Sequence, residues 1–138
     1  MQAGGLEDDA DYPYTSGTSG RTGKCNFNKA DVKVQVAGHK QLTRSEDSLK
    51  AGLNSGPPSI CVAAGTWQFY SGGVLTHCGL IPIIDHCVQA IGYDDTASTP
   101  YWLVRNSWNT DWGEDGLIRL AQGSNLCKLQ NEATFPTF

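Results

Sequence analysis

The sequence predicts an α+β fold that consists mainly of antiparallel β-strands and contains one short helix. Apolar segments of strand length recur along the chain, glycine-rich turns separate them, and one segment has helical spacing between a start and a stop signal. With 138 residues the chain is long enough for one modest core. We therefore expect residues 1–138 to form a single β-rich domain, either a barrel or a sandwich.

The N-terminal part of the chain is predicted to hold a surface loop and one strand. Residues 11–30 contain a Tyr-Pro-Tyr segment and several spaced glycines, which are typical of an irregular loop. Val32, Val34 and Val36 stand at every second position between polar residues. This alternation predicts a half-buried strand over residues 31–37.

The short helix is predicted near residues 45–54. Thr43 and Glu46 have the spacing of a capping box, in which a hydroxyl and a carboxylate satisfy the free amides of the first turn. Leu49 and Leu53 then lie one turn apart on one face. The Gly-Pro-Pro segment that follows cannot continue a helix.

Further strands are expected where apolar segments recur in the second half of the chain. Residues 65–70 favour a single helical turn before a Gly-Gly pair. Strands are predicted over residues 59–64, 85–93, 101–106 and 117–120. The middle two flank a turn rich in Asp, Ser and Thr that ends in Pro, so they are expected to form an antiparallel hairpin.

Charge and composition exclude several classes of function. A net charge of -4 and scattered Lys and Arg residues give no basis for nucleic-acid binding. No apolar run approaches the length of a bilayer span, so we expect no membrane association. No signal peptide is visible, because acidic residues follow the first glycines. Because the cysteines are of the extracellular type, this absence leads us to expect that an upstream part of the gene is missing.

The cysteines show no metal-binding spacing. Because the chain contains no CxxC or HxxxH pattern, we predict no metal site and no cofactor. An odd number of cysteines in a glycine-rich chain predicts at least one internal disulfide, together with thiols that are free or paired with a partner. The cysteines are Cys25, Cys61, Cys78, Cys87 and Cys127.

One histidine and one asparagine stand on successive predicted strands, close to two tryptophans. If the buried faces of these strands coincide, the amide of Asn106 can hold the imidazole of His86 with one nitrogen protonated and the other aimed at a nucleophile. Trp108 and Trp112 would keep water away from this hydrogen bond. On the residues alone, a purely structural histidine remains the alternative.

An ordered set of segments resembles the C-terminal half of the papain family of cathepsin-like cysteine peptidases, and this resemblance covers nearly the whole chain. In chain order the segments are Asp11-Tyr12-Pro13-Tyr14, Gln68 to Val74, Cys78-Gly79, Asp85-His86, Gly92-Tyr93, Tyr101-Trp102, Arg105-Asn106-Ser107-Trp108, Trp112 to Gly116 and Phe135-Pro136.

The resemblance implies the barrel-like right-hand domain of the papain-like fold, with the helix-rich nucleophile domain absent. It makes His86 the catalytic imidazole and Asn106 its orienting partner. Trp108 would be the shielding indole, and Trp112 would line the side of the leaving group. Ser107 and Asp85, which adjoin the catalytic pair in the family's motifs, would have supporting roles.

The resemblance also assigns the cysteines. Cys78 and Cys127 would form a disulfide, and Cys25 would be unpaired because its family partner lies in the other half. None of the cysteines stands in the family's Cys-Gly-Ser-Cys-Trp context, and no residue takes the place of the oxyanion-hole glutamine. The nucleophile is therefore expected to lie outside this chain. By the same resemblance Met1 falls inside a helix that leads into Gly4-Gly5, so we expect the chain to be a fragment or truncated gene product that starts at an internal methionine.

A substrate pocket is also implied by the resemblance. Its walls align with Cys61, Ile84 and Cys87, and its base aligns with Glu132, which would admit Arg as well as apolar side chains. We interpret Cys61 and Cys87 as small buried hydrophobic residues; a disulfide between them is the alternative. For Glu132 the alternative is a solvated surface carboxylate.

Three functions follow as hypotheses. The first is the His/Asn half of a cysteine endopeptidase, which hydrolyses peptide or protein substrates only with its missing N-terminal half in cis or in trans and is inactive alone. The second is a non-catalytic remnant that acts as an interaction or regulatory module, and the third is a different Cys-His-Asn acyl transferase. By resemblance to the family, we expect a lysosomal, vacuolar or secreted location.

Overall fold

The computed structural model describes residues 4–138, which divide into two compact units. The first unit comprises residues 4–40 with Pro136–Phe138, and the second comprises Gln41–Phe135. Met1, on which the expectation of an internal start rests, lies outside the described residues.

The first unit has little regular structure. It contains the one-turn helix α1 (Ser16–Ser19), a 3-10 turn at Lys29–Asp31 and most of strand β1 (Gly38–Gln41). The strand predicted over residues 31–37 is wrong. Val34 forms only an isolated bridge with Leu6 and is 46% exposed, because this segment has no continuous neighbouring strand to pair with.

The second unit begins with the predicted helix, α2 (Glu46–Leu53). Its N-cap is Ser45, whose hydroxyl accepts a hydrogen bond of 3.1 Å from the amide of Ser48. The expected capping residue, Thr43, lies two positions too early. A serine directly before the first turn reaches the free amides that a cap has to satisfy. Leu49 fixes the helix to the core, where it is 1% exposed.

A mainly antiparallel sheet forms the body of the second unit, as predicted. Its strands follow the order β7-β2-β4-β5-β6-β3, with antiparallel neighbours except for the parallel pair β3–β6. The sheet is open in the described residues and does not close into a barrel. The strands are β2 (Ser59–Val62), β3 (Val74–Leu75), β4 (His86–Asp94), β5 (Tyr101–Arg105), β6 (Leu117–Ala121) and β7 (Ala133–Thr137).

Alternation along the strands separates a buried face from an exposed one. The buried face carries Ile60, Val62, Val88, Ala90, Trp102, Val104, Ile118 and Leu120. Cys61, Cys87 and Arg105 project from the opposite face. The two faces thus hold different parts of the predicted site.

Two shorter helices complete the unit. The helical turn predicted at residues 65–70 is present as a 3-10 turn, Trp67–Phe69, and a second 3-10 turn is Leu126–Lys128. None of the helices between residues 4 and 138 has the length and apolar character needed to cross a bilayer.

Candidate active site

His86 and Asn106 meet at the end of the β4–β5 hairpin. The register pairs Gln89 with Arg105, so continuing it by one residue sets Asn106 opposite Val88 and diagonal to His86 on the same face. The Nε2 atom of His86 lies 2.8 Å from the Oδ1 atom of Asn106. The expected contact is therefore present, and its geometry follows from the strand pairing.

The orientation of the Asn106 amide fixes the protonated nitrogen of His86. Oδ1 of Asn106 also accepts a hydrogen bond of 2.8 Å from the backbone amide of Ser107. Since this oxygen is the acceptor for both contacts, the Nε2–H of His86 is the donor. In the neutral ring Nδ1 is then the acceptor, with its lone pair available for a proton.

Burial strengthens this arrangement. Asn106 is 8% exposed, and its Nδ2 has no hydrogen-bond partner among residues 4–138. A hydrogen bond shielded from water is electrostatically stronger than an exposed one. The amide is thus held mainly through its oxygen.

Two indoles contact the imidazole, and a third packs against both of them. Trp108 is stacked over His86, with ring centroids 5.1 Å apart and planes at 27°. Trp67 meets the same ring edge-on at 6.2 Å, and Trp112 packs against both tryptophans and donates from Nε1 to the carbonyl of Trp67 at 3.1 Å. Trp112 thus supports the shield through its neighbours.

Trp67 is a part of this cluster that sequence reasoning missed. It is fully buried, and its Nε1 lies 3.5 Å from the sulfur of Cys127. A tryptophan in a short helical turn gives no periodic signal of what it faces. Its position three residues after the buried Ala64 gave only a weak indication of a core role.

Asp85 holds the chain where it enters β4. Its Oδ1 accepts a hydrogen bond of 2.8 Å from the amide of Ala64, and its own amide donates to the carbonyl of Val62 at 3.1 Å. The residue as a whole is exposed. Asp85 therefore fixes the backbone immediately before His86.

The Cys78–Cys127 disulfide is present in the structure. The alpha carbons are 5.3 Å apart, which is within the usual range for a bridge. Both residues are buried, at 9% and 2% exposure. Cys25 is exposed and forms no disulfide within residues 4–138.

The favoured interpretation of Cys61 and Cys87 as two separate buried hydrophobic residues is wrong. They form a disulfide, and Cys87 is exposed while Cys61 is half-buried. They stand directly opposite each other in the β2–β4 register. The amide of Cys61 donates away from β4, to the carbonyl of Glu132. This makes Cys61 and Cys87 a non-hydrogen-bonded pair, the type in which facing side chains lie closest.

The remaining residues of the predicted pocket are Glu132 and Ile84. Continuing the β2–β7 register pairs Cys61 with Glu132, so Glu132 projects from the same exposed face as the bridge. Ile84 is half-buried just before β4. A surface groove of about 330 Å³ adjoins this face, lined by Ser59, Cys87, Val88, Gln89, Arg105, Asn106 and Ser107.

Comparisons with known proteins agree with the geometry. The family model described as papain family cysteine protease matches residues 1–137. A cysteine proteinase of Trypanosoma brucei brucei is 40% identical over 94% of this chain, which covers 28% of that protein. Cysteine proteinase A of Leishmania mexicana is 40% identical over 93% of the chain, which covers 36% of that protein. The chain thus spans well under half the length of these curated relatives.

Solved structures show the same similarity. The digestive procathepsin L2 proteinase of Tenebrio molitor superposes with a TM-score of 0.86 at 29% identity, over 99% of this chain and 44% of that one. The bromelain protease of Ananas comosus superposes with a TM-score of 0.82 at 30% identity, over 100% of this chain and 65% of that one.

Proposed function

Because the chain belongs to the papain family of cysteine proteases, we propose that it supplies the imidazole and the orienting amide of a peptide-hydrolysing site. His86 is the acid–base residue and Asn106 orients it. The observation that supports these roles is the 2.8 Å contact from Nε2 of His86 to Oδ1 of Asn106, which directs Nδ1 away from the amide.

The reaction needs a thiolate that comes from a segment outside these 138 residues. That thiolate attacks the carbonyl carbon of the scissile peptide, while His86 carries a proton on each ring nitrogen. The Nδ1 proton then passes to the leaving amine, and a water molecule activated by the same nitrogen hydrolyses the acyl-enzyme. Asn106 keeps the ring in one orientation through these steps.

The chain alone is proposed to be inactive. Two disulfides join Cys61 to Cys87 and Cys78 to Cys127, so none of these residues offers a thiolate. Cys25 does not stand in the family's nucleophile context. Without the thiolate and a complete oxyanion hole, the covalent step and its electrostatic stabilisation are both missing.

The substrate pocket is proposed to lie on the face that carries Cys61, Cys87 and Glu132, next to Ile84. An ionised Glu132 would pair with the guanidinium of an Arg side chain in the substrate. Its exposure supports access for such a ligand. By family, the site is proposed to act on peptides or proteins in a lysosomal, vacuolar or secreted setting.

Reconstitution tests the proposed function. The chain would be joined to the N-terminal half of the Trypanosoma brucei brucei cysteine proteinase, and hydrolysis of a fluorogenic peptide would be measured with and without that half. We expect turnover only in the joined protein, with loss of activity in His86→Ala. We also expect reduced activity in Asn106→Ala. The matched control is Asn26→Ala, which makes the same change at an exposed asparagine. Turnover by the isolated chain that depends on His86 would contradict the proposal.

A further inference from the structure

The Cys61–Cys87 disulfide joins β2 to β4 at the position next to His86. The following pair in register, Val62 with His86, is the last one, since β2 ends at Val62 and β4 begins at His86. The backbone amide of Cys61 donates to Glu132 on the other side of β2. Cys61 and Cys87 therefore form no backbone hydrogen bond with each other, and at this pair the disulfide alone joins β2 to β4.

The backbone of His86 is thus held from both sides. On one side Asp85 is fixed by its hydrogen bonds to Val62 and Ala64, and on the other side Cys87 is fixed by the bridge. The ends of paired strands open more readily than their centres. A bridge one residue from the end of the ladder prevents that opening where the imidazole is attached.

We infer that the Cys61–Cys87 disulfide is a thiol-sensitive positioning device that holds His86 against Asn106 and releases it on reduction. The inference rests on the proposed acid–base role of His86, and it adds a means of control to that role. Cys61 and Cys87 act through the backbone of His86 and are positioning residues.

The two bridges of the second unit differ in their access to a reductant. Cys87 is exposed and Cys61 is half-buried, whereas Cys78 and Cys127 are buried at 9% and 2% exposure. Trp67 also covers the second bridge, with its Nε1 3.5 Å from the sulfur of Cys127. Because the rate of thiol–disulfide exchange depends on access, a small dithiol attacks the Cys61–Cys87 bridge first.

The exchange proceeds in two balanced steps. A thiolate of the dithiol attacks the sulfur of the exposed residue Cys87, forms a mixed disulfide and expels the sulfur of Cys61, which takes up a proton. The second thiolate of the reductant then closes its own disulfide and expels the sulfur of Cys87, which is protonated in turn. The dithiol loses two electrons, and the bridge gains two electrons and two protons.

Selective reduction can be measured on the 138-residue chain. Cys25 would first be blocked with iodoacetamide, and dithiothreitol would then be titrated. This neutral dithiol is chosen because Glu132 shares the face of the bridge. New thiols would be trapped with N-ethylmaleimide and located by peptide mass spectrometry. We expect Cys61 and Cys87 to be trapped at a reductant concentration about tenfold lower than Cys78 and Cys127. Simultaneous or reversed trapping would overturn the inference.

Positioning of His86 has a readout that does not depend on hydrolysis. Nitrogen chemical shifts of ¹⁵N-labelled histidine report which ring nitrogen carries the proton, and the exposed His39 and His77 are internal controls. In the bridged chain we expect His86 to be protonated mainly at Nε2. After selective reduction, and in the double variant Cys61→Ala/Cys87→Ala, we expect a mixture of both tautomers at His86 and no change at the controls.

Near-ultraviolet circular dichroism separates release of one side chain from loss of the fold. An unchanged His86 tautomer, or a general loss of the tryptophan signal on reduction, would overturn the inference, since the bridge would then be inert or merely structural. The two proposals can fail separately. If the protein joined to the N-terminal half is inactive but reduction still changes the His86 tautomer, the peptidase proposal is wrong, whereas the bridge still positions His86.

Discussion

The indole of Trp67 meets the imidazole of His86 edge-on, with ring centroids 6.2 Å apart and planes at 88°. Trp67 is fully buried and also contacts the Cys78–Cys127 bridge through its Nε1. One side chain therefore links the hydrophobic core to the candidate active site.

Replacing this indole is expected to destabilise the protein. Trp67→Ala leaves a large cavity and should lower the free energy of unfolding by roughly 3–5 kcal/mol. Phe69→Ala, two positions away at an 80% exposed side chain, is the control and should change it by less than about 0.5 kcal/mol. Urea unfolding followed by fluorescence checks both, and equal losses would exclude a special role of Trp67.

Removing the orienting amide is expected to impair catalysis in the joined protein. Asn106→Ala leaves the ring of His86 without its acceptor, so kcat should fall by about 10²-fold or more. Steady-state hydrolysis of a fluorogenic peptide measures this effect. A variant with unchanged kcat would show that the strands and indoles orient His86 without the amide.

Loss of the buried bridge is expected to affect stability strongly. The double variant Cys78→Ala/Cys127→Ala removes a cross-link between residues 49 positions apart and should cost about 2–5 kcal/mol. Unfolding under non-reducing conditions is the measurement, with Cys25→Ser as the control at an exposed free thiol. A loss no larger than that of the control would contradict this prediction.

The ion pair between Glu114 and Arg119 predicts a pH dependence of stability. Hydrogen bonds from Arg119 lower the pKa of Glu114, which also accepts from the amide of Gly73 at 2.9 Å. Because the folded pKa lies below the unfolded value of about 4.3, this stabilisation is present above that pH and is lost as pH falls through the folded pKa. Glu114→Gln should cost about 1 kcal/mol at neutral pH.

The measurement is thermal unfolding of the wild-type chain and Glu114→Gln across the acidic range. We expect the difference between them to shrink as the pH drops below about 4. A constant difference would mean that the glutamate acts through its shape and not through its charge.

Substrate choice tests the role of Glu132. In the joined protein, Glu132→Ala should reduce hydrolysis of a substrate with Arg at the pocket position more than hydrolysis of the matched Leu substrate. Equal losses on both substrates would assign Glu132 a structural role.

Two local rules made the His86–Asn106 contact possible from the sequence, and the family resemblance favoured it over a purely structural histidine. Alternation places both residues on the buried face of their strands, and the turn between those strands fixes their antiparallel pairing. Both rules act over short distances along the chain. A different local signal, the one-turn spacing of Leu49 and Leu53 before the Gly-Pro-Pro stop, placed α2 correctly apart from the exact cap residue.

The Cys61–Cys87 bridge required information that alternation does not carry. Alternation assigns Cys61 and Cys87 to faces of β2 and β4, but the register between these strands decides whether they stand opposite each other. That register depends on long-range packing. The strand prediction for residues 31–37 was wrong for a related reason. Alternation cannot show whether a neighbouring strand is present, and a strand needs one to pair with.

The β4–β5 hairpin carries both members of the candidate pair, and this has a consequence for folding kinetics. Its turn is held by Asp94, whose Oδ1 accepts hydrogen bonds from the amides of Thr96 at 2.7 Å and Ala97 at 3.2 Å. Closing a short loop costs little chain entropy, so a hairpin contact can form before pairings between distant segments. His86 and Asn106 can thus meet early, whereas the links to β2 and β7 wait for much longer loops to close.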